Sequence, residues 1–267
     1  MPEDATAALA ALRQRSRRDY LHALLLPEGL RTDFVALRRY HHQMRAVVEG
    51  AREPALAQIQ LQWWAEGVQG ARAGEIASHP VGAAVLAYMQ RHPAARPVLH
   101  AKALAHEAEL FADGFEDRTQ FEGCAGETRS VLVQLLVDDG AATEASGHYG
   151  VCETVVETLL ALPAARQRGV VAVPLDILSQ ADAVADDWLS GAETRDEVVQ
   201  AFAAYGLDHA RRARAALEAV PPAALRCYAP LRLFEWVLHR ARREPATVWN
   251  GGAEPEPLRE QWLLWRR

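Results

Sequence analysis

The stretch from Asp33 to Gly70, DFVALRRYHHQMRAVVEGAREPALAQIQLQWWAEGVQG, constrains the fold more than any other part of the chain. Its apolar residues recur at steps of three and four, which is the spacing of one buried helix face. In the first half of the stretch this face consists of Phe34, Leu37, Met44 and Val47. Pro54 suits the first turn of a following helix. The sequence therefore predicts two helices joined near Pro54.

A line of ionisable side chains follows another side of the first helix. His41, Arg45, Glu49 and Arg52 also recur at steps of three and four. At this spacing Arg45 and Glu49 can pair across one turn. Taken alone, the line is compatible with the lining of an active site.

The rest of the chain also favours helices. Half of its 267 residues are hydrophobic, alanine and leucine are abundant, and alternating strand patterns are nearly absent. The run from Val170 to Val173 is short and is followed by a proline, so we expect an extended connector there. The even composition predicts an all-α protein with a single domain over residues 1–267.

Composition also narrows the classes of function. A net charge of −6 argues against general nucleic-acid binding, because phosphate contacts need a basic surface. Lys102 is the only lysine among 29 basic residues, which indicates codon bias. The three cysteines are isolated and predict neither a disulfide framework nor a CxxC metal site.

The sequence predicts a cytoplasmic location. It contains no signal-peptide pattern and no run of about 18 to 20 apolar residues that could span a bilayer. A peripheral contact with the inner membrane remains open at the C-terminus, because aromatic and arginine side chains suit the boundary between lipid and water. The candidates are Trp262, Trp265, Arg266 and Arg267; core packing of the two tryptophans is the alternative.

Several local patterns fail as catalytic motifs. A zinc-protease motif built on His106 would need a second histidine where Leu110 stands. Neither a phosphate-binding loop nor a GxSxG elbow occurs. Asp182, Asp186 and Asp187 have a spacing that could hold magnesium, or they could form a solvated face.

Three stretches together resemble the squalene/phytoene synthase family: IQLQWW, FEGCAGET and LLALPAARQRGVVAVPLDIL. The resemblance extends over about residues 16 to 265 and implies a single-domain, all-α isoprenoid synthase fold around a central cavity. Active members of this family join two prenyl diphosphates head to head. They use two aspartate-rich motifs to hold magnesium against the diphosphates, because hard cations take oxygen ligands.

This chain departs from the family at both motifs. With Tyr40 on the aromatic residue before the first motif, Arg45 takes an aspartate position and only Glu49 remains acidic. Ala161 and Ala165 stand where the second motif has its aspartates. The resemblance thus implies no catalytic residue, metal or cofactor, but a vestigial cavity wall made of Tyr40, His41, Arg45, Glu49, Glu109, Glu153, Ala161 and Ala165.

The stretch LALPAARQRG resembles a non-catalytic branch of the family whose members act in the assembly of respiratory complex I. This implies a role in assembling or stabilising a respiratory membrane complex, with its subunits or assembly proteins as partners. Two alternatives stay open at this point. One is a diverged prenyl transferase that uses magnesium with Glu49, Glu109 and Glu153, and the other is a non-catalytic protein that binds an isoprenoid or another lipid.

Overall fold

The computed structural model describes residues 5–111, 113–191 and 195–266, and within these ranges every regular element is a helix. The prediction of an all-α protein is therefore confirmed. None of the described helices is both long enough and apolar enough to cross a membrane. The chain divides into two compact units, one ending at Leu110 and the other starting at Phe111. The single domain over 1–267 stays a prediction.

The first unit is built around a long central helix, α3, which packs on α6, while α4 packs on α7. Its helices are α1 (Ala5–Arg15), α2 (Arg17–Leu25), α3 (Glu28–Glu49), α4 (Pro54–Gln69), α5 (Ala73–Ser78), α6 (Pro80–Arg91) and α7 (Ala95–Ala105). A short 3₁₀ segment, His106–Glu109, follows α7.

The predicted helix pair is confirmed as α3 and α4. The four residues of the apolar face, Phe34, Leu37, Met44 and Val47, are all buried. Pro54 occupies the first turn of α4, where its missing N–H costs nothing. Gly70 ends that helix at φ +112°, a left-handed conformation that glycine adopts without strain.

The apolar pattern from Ala8 to Leu26 is continuous, but this region forms two helices. The break lies at Ser16, whose backbone is extended and whose Oγ accepts a hydrogen bond from the backbone N–H of Asp19 at 3.2 Å. A serine in this position satisfies one of the first free N–H groups of the new helix. The apolar pattern continues across the break, which explains why periodicity alone missed it.

The second unit is organised by α10, which packs against α13, and α13 packs in turn against α14. Its helices are α8 (Arg118–Ala125), α9 (Val131–Val137), α10 (Thr143–Gln167), α11 (Leu175–Gln180), α12 (Ala185–Ser190), α13 (Arg195–Ala216), α14 (Leu231–Arg243), α15 (Ala246–Trp249) and α16 (Pro257–Trp265).

A π-helical segment, Gly126–Ser130, joins α8 to α9. The helical region from α8 to α9 therefore contains a locally widened turn. Gly150 of α10 lies directly against this turn, where an added Cβ would stand 2.5 Å from the backbone nitrogen of Ser130. The close approach requires glycine and brings the π-helical segment next to α10.

Pro163 does not end its helix, because α10 continues to Gln167. The connector from Val170 to Val173 contains no strand, as expected. The chain then turns into α11, where the N–H of Leu175 donates to the carbonyl oxygen of Phe115 at 2.9 Å.

Candidate functional site

The predicted pair on α3 is present, and a third residue joins it. Arg45 Nη2 donates to Glu49 Oε1 at 2.7 Å, and Arg15 Nη2 of α1 donates to Glu49 Oε2 at 2.6 Å. Partial burial opposes ionisation of Glu49, but the two guanidinium groups outweigh it and lower the pKa of this carboxyl. Both carboxylate oxygens of Glu49 are therefore bound by arginine.

Tyr40 is a core residue. Its side chain is fully buried, its hydroxyl donates to the carbonyl oxygen of Leu99 at 3.2 Å, and its ring packs edge-on against Trp64. Burial strongly raises the pKa of the phenol. Tyr40 thus joins α3 to α4 and α7 and is held in place by packing.

His41 belongs to a buried polar chain that the sequence interpretation missed. The Lys102 Nζ atom lies 3.1 Å from His41 Nδ1 and 3.2 Å from His106 Nε2, and all three side chains are fully buried. An ammonium at this position would donate three hydrogens and accept none, so both ring nitrogens would then accept. His106 Nδ1 lies 2.8 Å from Glu109 Oε1. Glu109 is therefore the carboxylate at the end of this polar chain.

A second buried charge cluster lies between α2 and α3. Asp19 is 2% exposed, and its Oδ2 accepts from Arg38 Nε at 3.0 Å and lies 2.6 Å from His42 Nε2. Arg18 Nε is 3.6 Å from the other oxygen. Burial opposes ionisation of Asp19, but the arginines and the histidine outweigh it and hold its pKa far below the usual range.

A sequence signal for both clusters exists. Arg38 and His42 are four residues apart, as are Lys102 and His106, so each pair shares one helix face. Lys102 is also the one place where the chain uses lysine instead of arginine. What the sequence does not give is the distant partner, such as Asp19, because that depends on how the helices pack.

In the second unit, Ala161 and Ala165 lie on the last turns of α10. Ala161 is half-buried and Ala165 is 4% exposed. Neither has a side-chain oxygen, so neither can bind magnesium.

The same helix carries two buried glutamates, Glu153 and Glu157, one turn apart. Arg129 of the π-helical segment donates from Nε to Glu157 Oε2 at 3.3 Å and from Nη1 to Thr128 Oγ1 at 2.7 Å. The Arg129 and Glu157 side chains are 3% and 8% exposed. The sequence interpretation named Glu153 but missed both members of this buried ion pair.

The stretch LALPAARQRG makes a structural contact through one of its arginines. The Arg166 guanidinium lies 5.4 Å from the Trp249 ring centre and 6.0 Å from that of Trp188, and its Nε donates to the carbonyl oxygen of Leu189 at 3.1 Å. Such cation–π contacts fix the guanidinium between two rings. Arg166 therefore attaches the end of α10 to α12 and α15.

No group of three or more histidine, cysteine, aspartate or glutamate side chains in the described ranges could hold a metal ion. Asp182, Asp186 and Asp187 are all exposed, as residues of a solvated face would be. The three cysteines are free and buried, and burial raises the pKa of Cys227 to about 11.

The C-terminal helix presents an exposed apolar face. Leu258, Trp262 and Trp265 follow one another at steps of four and three and are 82%, 54% and 60% exposed. The Arg266 guanidinium lies 4.8 Å from the Trp262 ring centre. The two tryptophans are therefore surface residues and not core residues. Arg267, the fourth residue predicted for membrane contact, lies outside the described residues.

Within the first unit, the structure thus joins His41 to Glu109 through Lys102 and His106, and Arg45 to Glu49. Within the second unit, Glu153, Ala161 and Ala165 share one helix, α10. That these residues form one cavity wall stays a prediction.

The sequence matches the squalene/phytoene synthase family model over residues 12–266. It is similar to NADH dehydrogenase (ubiquinone) complex I, assembly factor 6, of Homo sapiens, with 24% identity over 97% of this chain and 81% of that protein. The Rattus norvegicus protein of the same name is 24% identical over 100% of this chain and 84% of its own length.

Two solved structures share the fold. A ligand-bound dehydrosqualene synthase superposes with a TM-score of 0.80 at 12% identity, covering 97% of this chain and 93% of its own. A squalene synthase from Alicyclobacillus acidocaldarius gives a TM-score of 0.72 at 16% identity, covering 94% and 95%. The predicted isoprenoid synthase fold is confirmed.

Proposed function

This chain belongs to the squalene/phytoene synthase family, and we propose that it is not an enzyme but acts in the assembly or stabilisation of a respiratory membrane complex of the complex I type. One observation carries the proposal: neither aspartate-motif position offers a carboxylate to magnesium. Glu49 is held by Arg45 and Arg15, and Ala161 and Ala165 have no ligand atoms. A cation such as Arg45 at a metal position would also repel Mg²⁺.

The relatives named as complex I assembly factors support the choice of partner. They match this chain over nearly its whole length, so the likeness is not confined to one motif. On this basis the partners are subunits of the respiratory complex or other assembly proteins, and the site of action is a membrane surface reached from the cytoplasm.

The exposed face of α16 supports peripheral membrane contact. Leu258, Trp262 and Trp265 offer apolar and aromatic surface, and Arg259 and Arg266 lie near the two ends of the same short helix. Tryptophan and arginine side chains favour the headgroup region of a bilayer. This face would bring the protein to the membrane in which the complex is built.

A gene deletion tests the assembly role. A strain of the source organism that lacks the gene should show less assembled complex I on native gels, and the wild-type gene should restore it. A gene carrying Trp262→Ala and Trp265→Ala should restore it only partly, while Ile59→Ala, which removes an exposed apolar residue of the first unit, should restore it fully. An unchanged amount of complex I in the deletion strain would overturn the proposal.

Incubation with prenyl diphosphates tests the absence of catalysis. The purified protein with farnesyl or geranylgeranyl diphosphate and magnesium should give no head-to-head product. The variant carrying Arg45→Asp and Glu49→Asp should also give none, because Ala161 and Ala165 still supply no ligand. Product from the wild-type chain would assign it to the enzymes, and product from the variant alone would refute the role given to the two alanines.

A further inference from the structure

A cavity of about 220 Å³ lies within the first unit, between α1, α3 and α6. It exceeds an engineered apolar cavity of about 150 Å³ that holds benzene. The cavity is partly open to solvent, since Thr32 and Pro80 of its lining are exposed, and it has this volume because the facing side chains are mostly small. The apolar lining consists of Ala5, Ala8, Leu9, Val35, Ala36, Pro80, Ala83, Ala84 and Ala87.

The charged lining residues all have one sign. Arg31, Arg39 and Arg91 line the cavity, and no aspartate or glutamate does. Asp33 is outside the lining but pairs with Arg91, so the positive excess comes from Arg31 and Arg39, in contrast to the net charge of −6 for the whole chain. An occupant that matches both the walls and the charges has an apolar body and one anionic end.

Two of the three arginines, Arg31 and Arg91, are held in place before any ligand arrives. Arg31 donates from Nε to the carbonyl oxygen of Ala23 and from Nη2 to that of Leu26, each at 3.0 Å. Arg91 donates from Nη1 to the carbonyl oxygen of Ala87 at 3.0 Å and from Nη2 to Asp33 Oδ1 at 2.5 Å. A guanidinium has five N–H donors, so these bonds fix its position and leave donors for a carboxylate.

We propose that this cavity binds a free medium-chain carboxylate, with the alkyl chain between α3 and α6 and the carboxylate at the arginines. Burial of the alkyl chain provides the apolar part of the affinity. Charge-assisted hydrogen bonds from arginine select the anionic end. The site lies on α3 at Thr32, Val35 and Ala36, apart from the Arg45–Glu49 pair, and it does not depend on the assembly role.

Calorimetric titration of the full chain with octanoate tests the location of the site. Saturable binding should weaken at least about tenfold in Ala84→Leu and in Ala87→Leu, because either leucine occupies the cavity. Ala101→Leu, at an exposed position on α7, is the matched control and should bind like the wild type. Circular dichroism identifies any variant that fails to fold. If one of the two leucine variants does not fold, the other one provides the test. Absence of saturable binding to the wild type, or equal binding to a folded filling variant, overturns the proposal.

Ligands that differ only in charge test the role of the arginines. Octanoate should bind at least about tenfold more tightly than 1-octanol or octylammonium. Arg39→Gln should remove most of this preference and leave the affinity for 1-octanol unchanged. If 1-octanol or octylammonium binds as well as octanoate, or if anionic lipid vesicles bind and free octanoate does not, the assignment to a free carboxylate is wrong.

Discussion

The α3 and α10 regions hold their ion pairs in different ways. On α3, Glu49 is bound by two arginines, and its side chain is 37% exposed. Next to α10, Glu157 of this helix pairs with Arg129, and both side chains are buried. One region neutralises its carboxylate near solvent, and the other buries its ion pair.

The difference in burial sets how much each pair matters for stability. An exposed ion pair contributes little, because water and salt screen it. Removing one partner of a buried pair costs much more, because the remaining charge is left without solvent. The two regions should therefore respond very differently to substitutions of the same kind.

The largest effect is expected at Glu157. Glu157→Ala leaves the Arg129 guanidinium buried without its carboxylate, so the free energy of unfolding should fall by about 4 kcal/mol. Urea unfolding followed by circular dichroism measures this. The double variant Arg129→Met, Glu157→Leu should recover most of the loss, since an apolar pair of similar volume needs no solvation. A loss below about 1 kcal/mol for Glu157→Ala would mean that solvent reaches the pair.

Asp19 extends the comparison to a buried carboxylate behind α3. Asp19→Asn should lower the free energy of unfolding by about 3 kcal/mol at pH 6, because it removes the charge that Arg38 and His42 face. The pKa of Asp19 is depressed in the folded protein. Its contribution is therefore complete above the unfolded-state pKa of about 3.9 and is lost as the pH falls below it. The wild type and the variant should thus converge between about pH 4 and pH 2, and a constant difference would contradict this account.

Lys102→Met should cost about 2 kcal/mol, because His41 Nδ1 and His106 Nε2 lose their donor while staying buried. Lys102→Arg tests the shape of the site and should not restore the wild-type value, since the longer planar guanidinium does not replace a compact ammonium between two rings. Thermal unfolding of the three proteins ranks them. Equal stability of Lys102→Arg and the wild type would show that only the positive charge is needed there.

The smallest effect is expected on the α3 surface. Arg45→Ala should change the free energy of unfolding by no more than about 0.5 kcal/mol, because Arg15 still binds Glu49 and the carboxylate is partly solvated. The same urea experiment measures it under matched salt. A loss as large as that of Glu157→Ala would remove the contrast between the two regions.

The sequence predicted local features well and distant partners poorly. The buried face of α3, the start of α4 at Pro54 and the Arg45–Glu49 pair all depend on steps of three or four residues, which a sequence displays directly. No sequence pattern indicates that Arg15 binds Glu49, at a separation of 34 residues. That contact depends on how α1 packs, and helix periodicity contains no information about it.

At two positions a helix boundary differs from what a single sequence rule predicts, because another interaction is stronger. The break at Ser16 is set by a capping hydrogen bond inside an uninterrupted apolar pattern. Pro163 lies inside α10 although proline usually ends a helix. The packing of this long helix against α13 and α14 provides stabilisation that outweighs the lost backbone hydrogen bond.

Because Lys102 is buried, the reactivity of its amine reports how often the first unit opens. Apart from the amine at the chain terminus, no other primary amine exists along the sequence, and this one is fully enclosed. Acylating reagents and lysine-specific proteases should therefore act internally only on molecules whose first unit has opened, so their rates follow the opening equilibrium. Amine-directed crosslinking will consequently be a poor way to find partners, and carboxylate-directed reagents will be needed.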